Sequence, residues 1–146
     1  MSLTIRPIAP QDETDWRALW TAYLEFYESS VSEEVYATTF ARLCAPEVTD
    51  QNGLLALDGE TPVGLVHYIF HPHNWRVEKI CYLQDLYADP AVRGTGVGRK
   101  LIEAVYAAAD ANGTPAVYWM TQDFNTQARQ LYDRIGQLTP FIKYAR

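Results

Sequence analysis

Apolar and polar positions along the chain alternate between two periods, and the changes of period mark the elements. Residues 3–8 alternate and stop at Pro10, which predicts a short strand. Trp16, Leu19, Trp20, Tyr23, Leu24 and Tyr27 then recur at helical spacing, the pattern of an amphipathic helix. Ser32, followed by Glu33 and Glu34, supplies an N-cap and an acidic first turn. Val35, Phe40 and Leu43 carry that second helix until Pro46 ends it. Residues 53–57 and 63–70, separated by Asp58-Gly59, predict a hairpin, with a polar tip following at 71–76. A further strand at 80–88 stops at Asp89-Pro90. The segment 98–110 places Leu101, Ile102, Val105, Tyr106 and Ala109 on one helical face before Asn112-Gly113. An apolar strand at 116–120 comes next. Ala128, Leu131, Tyr132 and Ile135 then form a helix halted by Gly136, and 141–144 predicts a last strand. Read in order, β, α, α, a three-strand meander, α, β, α, β gives an α/β (α+β) domain: a mixed, mostly antiparallel central sheet with helices packed on both faces.

Size and composition narrow this further. A chain of 146 residues, 48% apolar and only 21% charged, forms one domain over 1–146 with one core, and nothing in it reads as a linker, repeat or low-complexity tract. No apolar run approaches the roughly 20 residues that span a bilayer, and the first residues lack a leader pattern, so a cytoplasmic location is expected. Cys44 and Cys81 lie among apolar neighbours without the paired spacing of a zinc site. They are expected to be reduced, half-buried thiols, and no metal is expected. A formal charge of −6 argues against a nucleic-acid partner and suits a cationic small molecule, although it equally serves solubility.

The chemistry concentrates between 89 and 100, where a glycine-rich loop joins a strand to a strong helix. Gly94, Gly96 and Gly98 allow successive backbone N–H groups to turn toward one point, with the positive end of the helix dipole behind them. Arg93, Arg99 and Lys100 add charge, so the segment reads as an anion cradle suited to a pyrophosphate. It is not a P-loop, because no Gly-Lys-Ser/Thr follows at the required distance. The glycine spacing also differs from the dinucleotide fingerprint, and no second βαβ half follows.

What remains is Arg/Gln-x-x-Gly-x-Gly/Ala, met by Arg93, Gly96 and Gly98. With 81–88 before the loop, Gly98 to Ile102 after it, and Asn125 through Ala128 to Leu131-Tyr132, the chain resembles the GNAT superfamily of N-acetyltransferases. Within it, the chain is most similar to the fungal histone and polyamine acetyltransferases and to the spermidine/spermine acetyltransferases, with residues 79–136 carrying nearly all of the likeness. The resemblance implies acetyl-CoA as cosubstrate, its pantetheine arm pairing with the backbone of Leu86, Tyr87 and Ala88 and its pyrophosphate lying on Arg93, Gly94, Thr95, Gly96, Val97, Gly98 and Arg99. It also implies that Asn125 helps hold the arm, that Tyr132 protonates the leaving thiolate, and that the protein is a homodimer.

The base departs from the family pattern. Polyamine-acetylating relatives carry a glutamate where this chain has Gln84, and glutamine cannot take a proton. Asp85 matches the neighbouring acidic residue and is the candidate base, directly or through water. Strand alternation puts Gln84 and Asp85 on opposite faces unless a bulge intervenes. Gln84, and Trp75 with His71 and His73 on the preceding polar loop, are candidates for walling the acceptor. The expected reaction is direct transfer in a ternary complex to a primary amine, with a small polyamine or amino compound ahead of protein lysine. The rivals are a catalytically weak acyl-CoA sensor and a dinucleotide-using redox domain.

Overall fold

The computed structural model describes all 146 residues as five strands, four helices and two 3-10 turns. Strands β1 (Leu3–Pro7), β2 (Gln51–Asp58), β3 (Thr61–His71), β4 (Ile80–Ala88) and β5 (Val117–Tyr118) form one sheet in the order β1-β2-β3-β4-β5. The first four pair antiparallel, and β5 pairs parallel to β4. The hairpin turn between β2 and β3 is Gly59-Glu60, closed by the pair Asp58 and Thr61. Gly59 has φ +61°, the left-handed conformation that a two-residue hairpin asks of its first central position.

Helices cover both faces, as the periodicity predicts. On one side α1 (Glu13–Phe26) and α2 (Glu33–Cys44) enclose a cluster of Ile8, Trp16, Leu19, Trp20, Phe40, Leu55, Leu57 and Leu65. The Ser32 hydroxyl accepts the Val35 N–H and caps α2, and Ala45 turns the chain out of the helix before Pro46. On the other side α3 (Val97–Ala111) and α4 (Thr126–Ile135) cover the sheet, with Leu101, Ile102 and Val105 of α3 joining Leu54, Val66 and Leu83 in one cluster. Gly64 sets how closely α3 approaches the sheet: a Cβ there would stand 2.8 Å from the Tyr87 carbonyl oxygen and 3.2 Å from Leu101. This contact brings the start of α3 against the end of β4.

Three expectations change. The strand expected at 116–120 is only the two residues of β5, because its pairing with β4 ends at Tyr82 and Tyr118. No strand forms at 141–144, where Phe141, Ile142 and Tyr144 are largely exposed. An apolar segment becomes a strand only by pairing with an edge, and this segment pairs with none. Cys81 is fully buried in the core, not half-buried, and burial pushes its thiol up to about 11, whereas Cys44 is half-buried. Both are free thiols. No helix is long and apolar enough to cross a membrane.

Candidate active site

The loop after β4 has the backbone that an anion cradle requires. Asp89 caps a 3-10 turn at Pro90–Val92 by accepting the Ala91 N–H, and Gly94 and Gly96 follow with φ of +84° and +90°. Around both glycines a Cβ would meet nothing within 4 Å, so the positive φ, not crowding, calls for glycine. The first intrahelical bond of α3 runs from the Lys100 N–H to the Gly96 carbonyl, which leaves the N–H groups of Val97, Gly98 and Arg99 unclaimed at the positive end of the dipole. Thr95 is tied back to the Val92 carbonyl by its N–H and its hydroxyl. Open space, free donors and a helix N-terminus together fit a pyrophosphate.

Beside the cradle the sheet opens. Since β5 pairs only with Cys81 and Tyr82, the β4 edge from Leu83 to Ala88 has no strand neighbour on that side. Leu86, Tyr87 and Ala88 lie on this open stretch, where an extended arm could add as a strand. The far wall is α4, whose C-terminus is tethered by the Tyr106 hydroxyl donating to the Ile135 carbonyl at 2.7 Å and by close approach of Gly136 to Trp119. Tyr132 is half-buried there, edge-on to Trp119 with ring centroids 5.5 Å apart. Burial first, and the neighbouring Tyr27 second, push its phenol up to about 12, so it holds its proton throughout the neutral range. Asn125 stands at the N-cap of α4, but its side chain donates to the Thr121 hydroxyl at 3.4 Å instead of capping the helix.

On the opposite face a bulge resolves the question of Gln84 and Asp85. Asp85 pairs with His67 and Leu83 with Tyr68, so Gln84 is the extra residue of β4. The extra residue turns both side chains to the α1/α2 side. They line one cavity of about 290 Å³ with Trp20, Val31, Val35, His67 and Asn52. The alternation rule fails here because it presumes an unbroken ladder.

Asp85 is buried within this cavity wall, and its Oδ2 lies 2.8 Å from Nδ1 of His67. The Trp16 indole N–H donates to Nε2 of the same ring at 2.9 Å. Tyr23, Tyr27 and Tyr82 surround the carboxylate, and the phenols of all three are pushed up, by burial first and by the charge of Asp85 second. Their hydroxyls are therefore neutral donors, and the cavity wall carries one carboxylate and no Lys or Arg.

Sequence reasoning chose His71 and His73 and missed His67. His71 ends β3 and bonds the Tyr118 hydroxyl at 2.8 Å, while His73 packs against Trp75. Trp75 is 83% exposed and is not among the residues lining the cavity. The signal for His67 was its place in the apolar run 63–70, where an interior polar side chain needs a partner that sequence does not name. Arg93 turns away from the cradle. Its Nε donates to the Ala88 carbonyl at 3.2 Å, and its guanidinium lies 5.9 Å from the ring centroids of both Phe26 and Tyr87. Arg99 and Lys100 remain exposed at the start of α3.

The chain is 43% identical to a D-amino-acid N-acetyltransferase of Saccharomyces cerevisiae, over 99% of its own length and 90% of that protein. It is 35% identical to a thialysine N-epsilon-acetyltransferase of Bos taurus, over 53% of this chain and 45% of the relative. Its fold matches a solved aminoglycoside N-acetyltransferase in complex with CoA, with a TM-score of 0.85 at 16% identity, covering 99% of this chain and 93% of the other. The model of the acetyltransferase (GNAT) family matches residues 16–137. With that match spanning most of the sheet and all of the cradle, the chain belongs to the GNAT acetyltransferase family.

Proposed function

We propose that this chain transfers the acetyl group of acetyl-CoA to the primary amine of a small amino compound, with Asp85 as base and the Tyr132 hydroxyl as a hydrogen-bond donor to the leaving sulfur. The observation that carries this reading is the meeting of two sites along β4. An anion cradle and open strand edge lie on one side, and a cavity with a single carboxylate on the other. Acetyl-CoA bound there supplies an activated acyl carbon and a thiol leaving group. Val97, Gly98 and Arg99 N–H groups hold its pyrophosphate, and Leu86, Tyr87 and Ala88 align its arm and offer backbone donors to the oxygen on which charge develops. Such donors commonly contribute about 3 kcal/mol to acyl transfer.

A free alkylammonium with a pKa of about 10 is nearly all protonated at pH 7, so one proton must leave before nitrogen can attack. Asp85 receives that ammonium as a counter-charge and accepts the proton, which then passes to solvent. The nitrogen lone pair forms the C–N bond, the C–S bond breaks with its electrons on sulfur, and the second amine proton balances the thiol. Tyr132, held at about 12, is too weak an acid to protonate outright a thiolate whose conjugate acid sits near 8.5. Its hydroxyl therefore steadies the departing sulfur by a hydrogen bond, while the second amine proton, made acidic once nitrogen is acylated, passes through solvent to the thiolate.

The acceptor class follows from charge. A cavity with one carboxylate and no cation favours an ammonium. Charge alone does not rank amino acids above polyamines, which carry ammonium groups as well; the D-amino acids and thialysine that the yeast and bovine relatives are named for put small amino compounds first, ahead of protein lysine. Exposed Leu138, Phe141, Ile142 and Tyr144 suit burial in a homodimer. The test is an acceptor panel of D- and L-amino acids, thialysine, polyamines and a lysine peptide, read by free-thiol release from acetyl-CoA. Thiol release with none of them, in protein that binds CoA, would favour the sensor reading.

A further inference from the structure

We infer that His67 is a positioning residue for the acetyl transfer: locked in its neutral Nδ1–H form by Trp16, it holds one oxygen of Asp85 and leaves the other to take the acceptor's proton. The inference rests on the reading of Asp85 as base. An indole N–H can only donate, so Nε2, 2.9 Å from Trp16, must be the unprotonated nitrogen. The single ring proton then lies on Nδ1 and points at Oδ2 of Asp85, 2.8 Å away. An imidazolium would set a second N–H against the indole N–H inside the core, where Trp16 is fully buried and His67 is 5% exposed. The same clash excludes an Nε2–H tautomer.

This polarity is the reverse of a histidine that serves as a base. Its outer nitrogen is capped by tryptophan, not turned to substrate, so no proton crosses His67. The acceptor's N–H bond breaks toward Oδ1 of Asp85, its electron pair stays on nitrogen, and the carboxylate becomes a neutral acid while Oδ2 still accepts from Nδ1–H. The groups facing this centre are consistent with one ionised member. Tyr23 and Tyr27 of α1 and Tyr82 of β4 are protonated phenols, and α2 contributes only Val35, Thr39 and Leu43 to the cavity. The bulge at Gln84 is what brings Asp85 opposite His67.

Nitrogen-15 NMR of the histidine-labelled full chain reads the lock directly. From pH 6 to 8, His67 should show a protonated Nδ1 and an unprotonated Nε2; an Nε2–H tautomer or an imidazolium at pH 7 overturns the proposal. His67→Phe should lower kcat about 10- to 100-fold with the acetyl-CoA KM within about twofold, and His67→Asn, whose amide can replace the Nδ1 donor, should restore most of it. Wild-type kcat in folded His67→Phe, or an Asn variant as impaired as the Phe variant, counts against positioning. Should His67→Phe fail to fold, Trp16→Phe keeps both partners while removing the lock, and the NMR must then show Nε2 gaining a proton; no change there is equally fatal. Asp85→Asn separates the two ideas: full activity in that variant sinks the base assignment, and the positioning role with it, even if the tautomer is as expected.

Discussion

The two faces of the sheet offer the ligands of the proposed reaction different kinds of contact. On the α3/α4 face the cradle is made of backbone: two left-handed glycines, three unclaimed N–H groups and an unpaired strand edge. On the α1/α2 face the cavity is made of side chains: His67 from β3 and Asp85 from β4 stand in its wall, and the buried Trp16 of α1 behind them completes one hydrogen-bonded line. Backbone recognition suits a cosubstrate shared by many enzymes, since any residues with the right φ can supply it. Side-chain recognition suits the acceptor, because one exchange, such as glutamine at position 84, changes the chemistry without disturbing the fold. Separating the faces allows either to vary alone.

The contrast predicts that substitutions on the side-chain face alter turnover and those on the backbone face alter cosubstrate affinity. Asp85→Asn should have the largest effect, a fall in kcat of about 100- to 10,000-fold with acetyl-CoA binding unchanged by calorimetry, since the amide can still accept from His67. Tyr132→Phe should lower kcat by roughly ten- to a thousandfold, and less with a thioester of lower thiol pKa, because a better leaving group needs less help. If turnover stays at the wild-type rate with every thioester, Tyr132 is packing only.

Gly96→Asp should raise the acetyl-CoA KM about 10- to 100-fold and leave kcat at saturation nearly intact. The φ of +90° strains any Cβ by about 1–2 kcal/mol, and the carboxylate repels a pyrophosphate. A matching loss of kcat would mean that the faces are not independent. Stability supplies a gentler comparison. Tyr23, Tyr27, Tyr82 and Tyr132 are raised above the unfolded value near 10, so their contribution is intact below pH 10 and fades as pH climbs through the folded values, about 12 for Tyr132. Urea titrations should show that decline, and Asp85→Asn should ease only the share from the α1/α2 tyrosines. The smallest effect is expected for Asn125→Ala, a rise in acetyl-CoA KM of at most a few-fold, since its one side-chain bond is long at 3.4 Å.

Local chemistry was legible along the chain. The cap at Ser32, the turn glycine at 59, the bounds of β4 at 80–88 and the start of α3 all follow from interactions spanning a few residues, and the structure places them where spacing predicts. The cradle belongs to this class, because a left-handed φ singles out glycine wherever it occurs. Elements that depend on a distant edge were not legible. Apolar pattern alone extends β5 to five residues and makes a strand of 141–144, yet pairing with β4 ends after two residues and the tail pairs with no strand.

By itself, then, the sequence determined the alternation of elements, the helices on both faces, the cradle and the family. Only the tertiary structure decided the cavity on the α1/α2 face. The bulge at Gln84 depends on register with β3, and the partners of His67 lie 51 residues before it and 18 after it. The physical reason is range. Backbone conformation and capping are settled within a turn or two of chain, whereas a buried polar side chain is satisfied by whichever group the fold carries to it, and nothing in its own neighbourhood names that group.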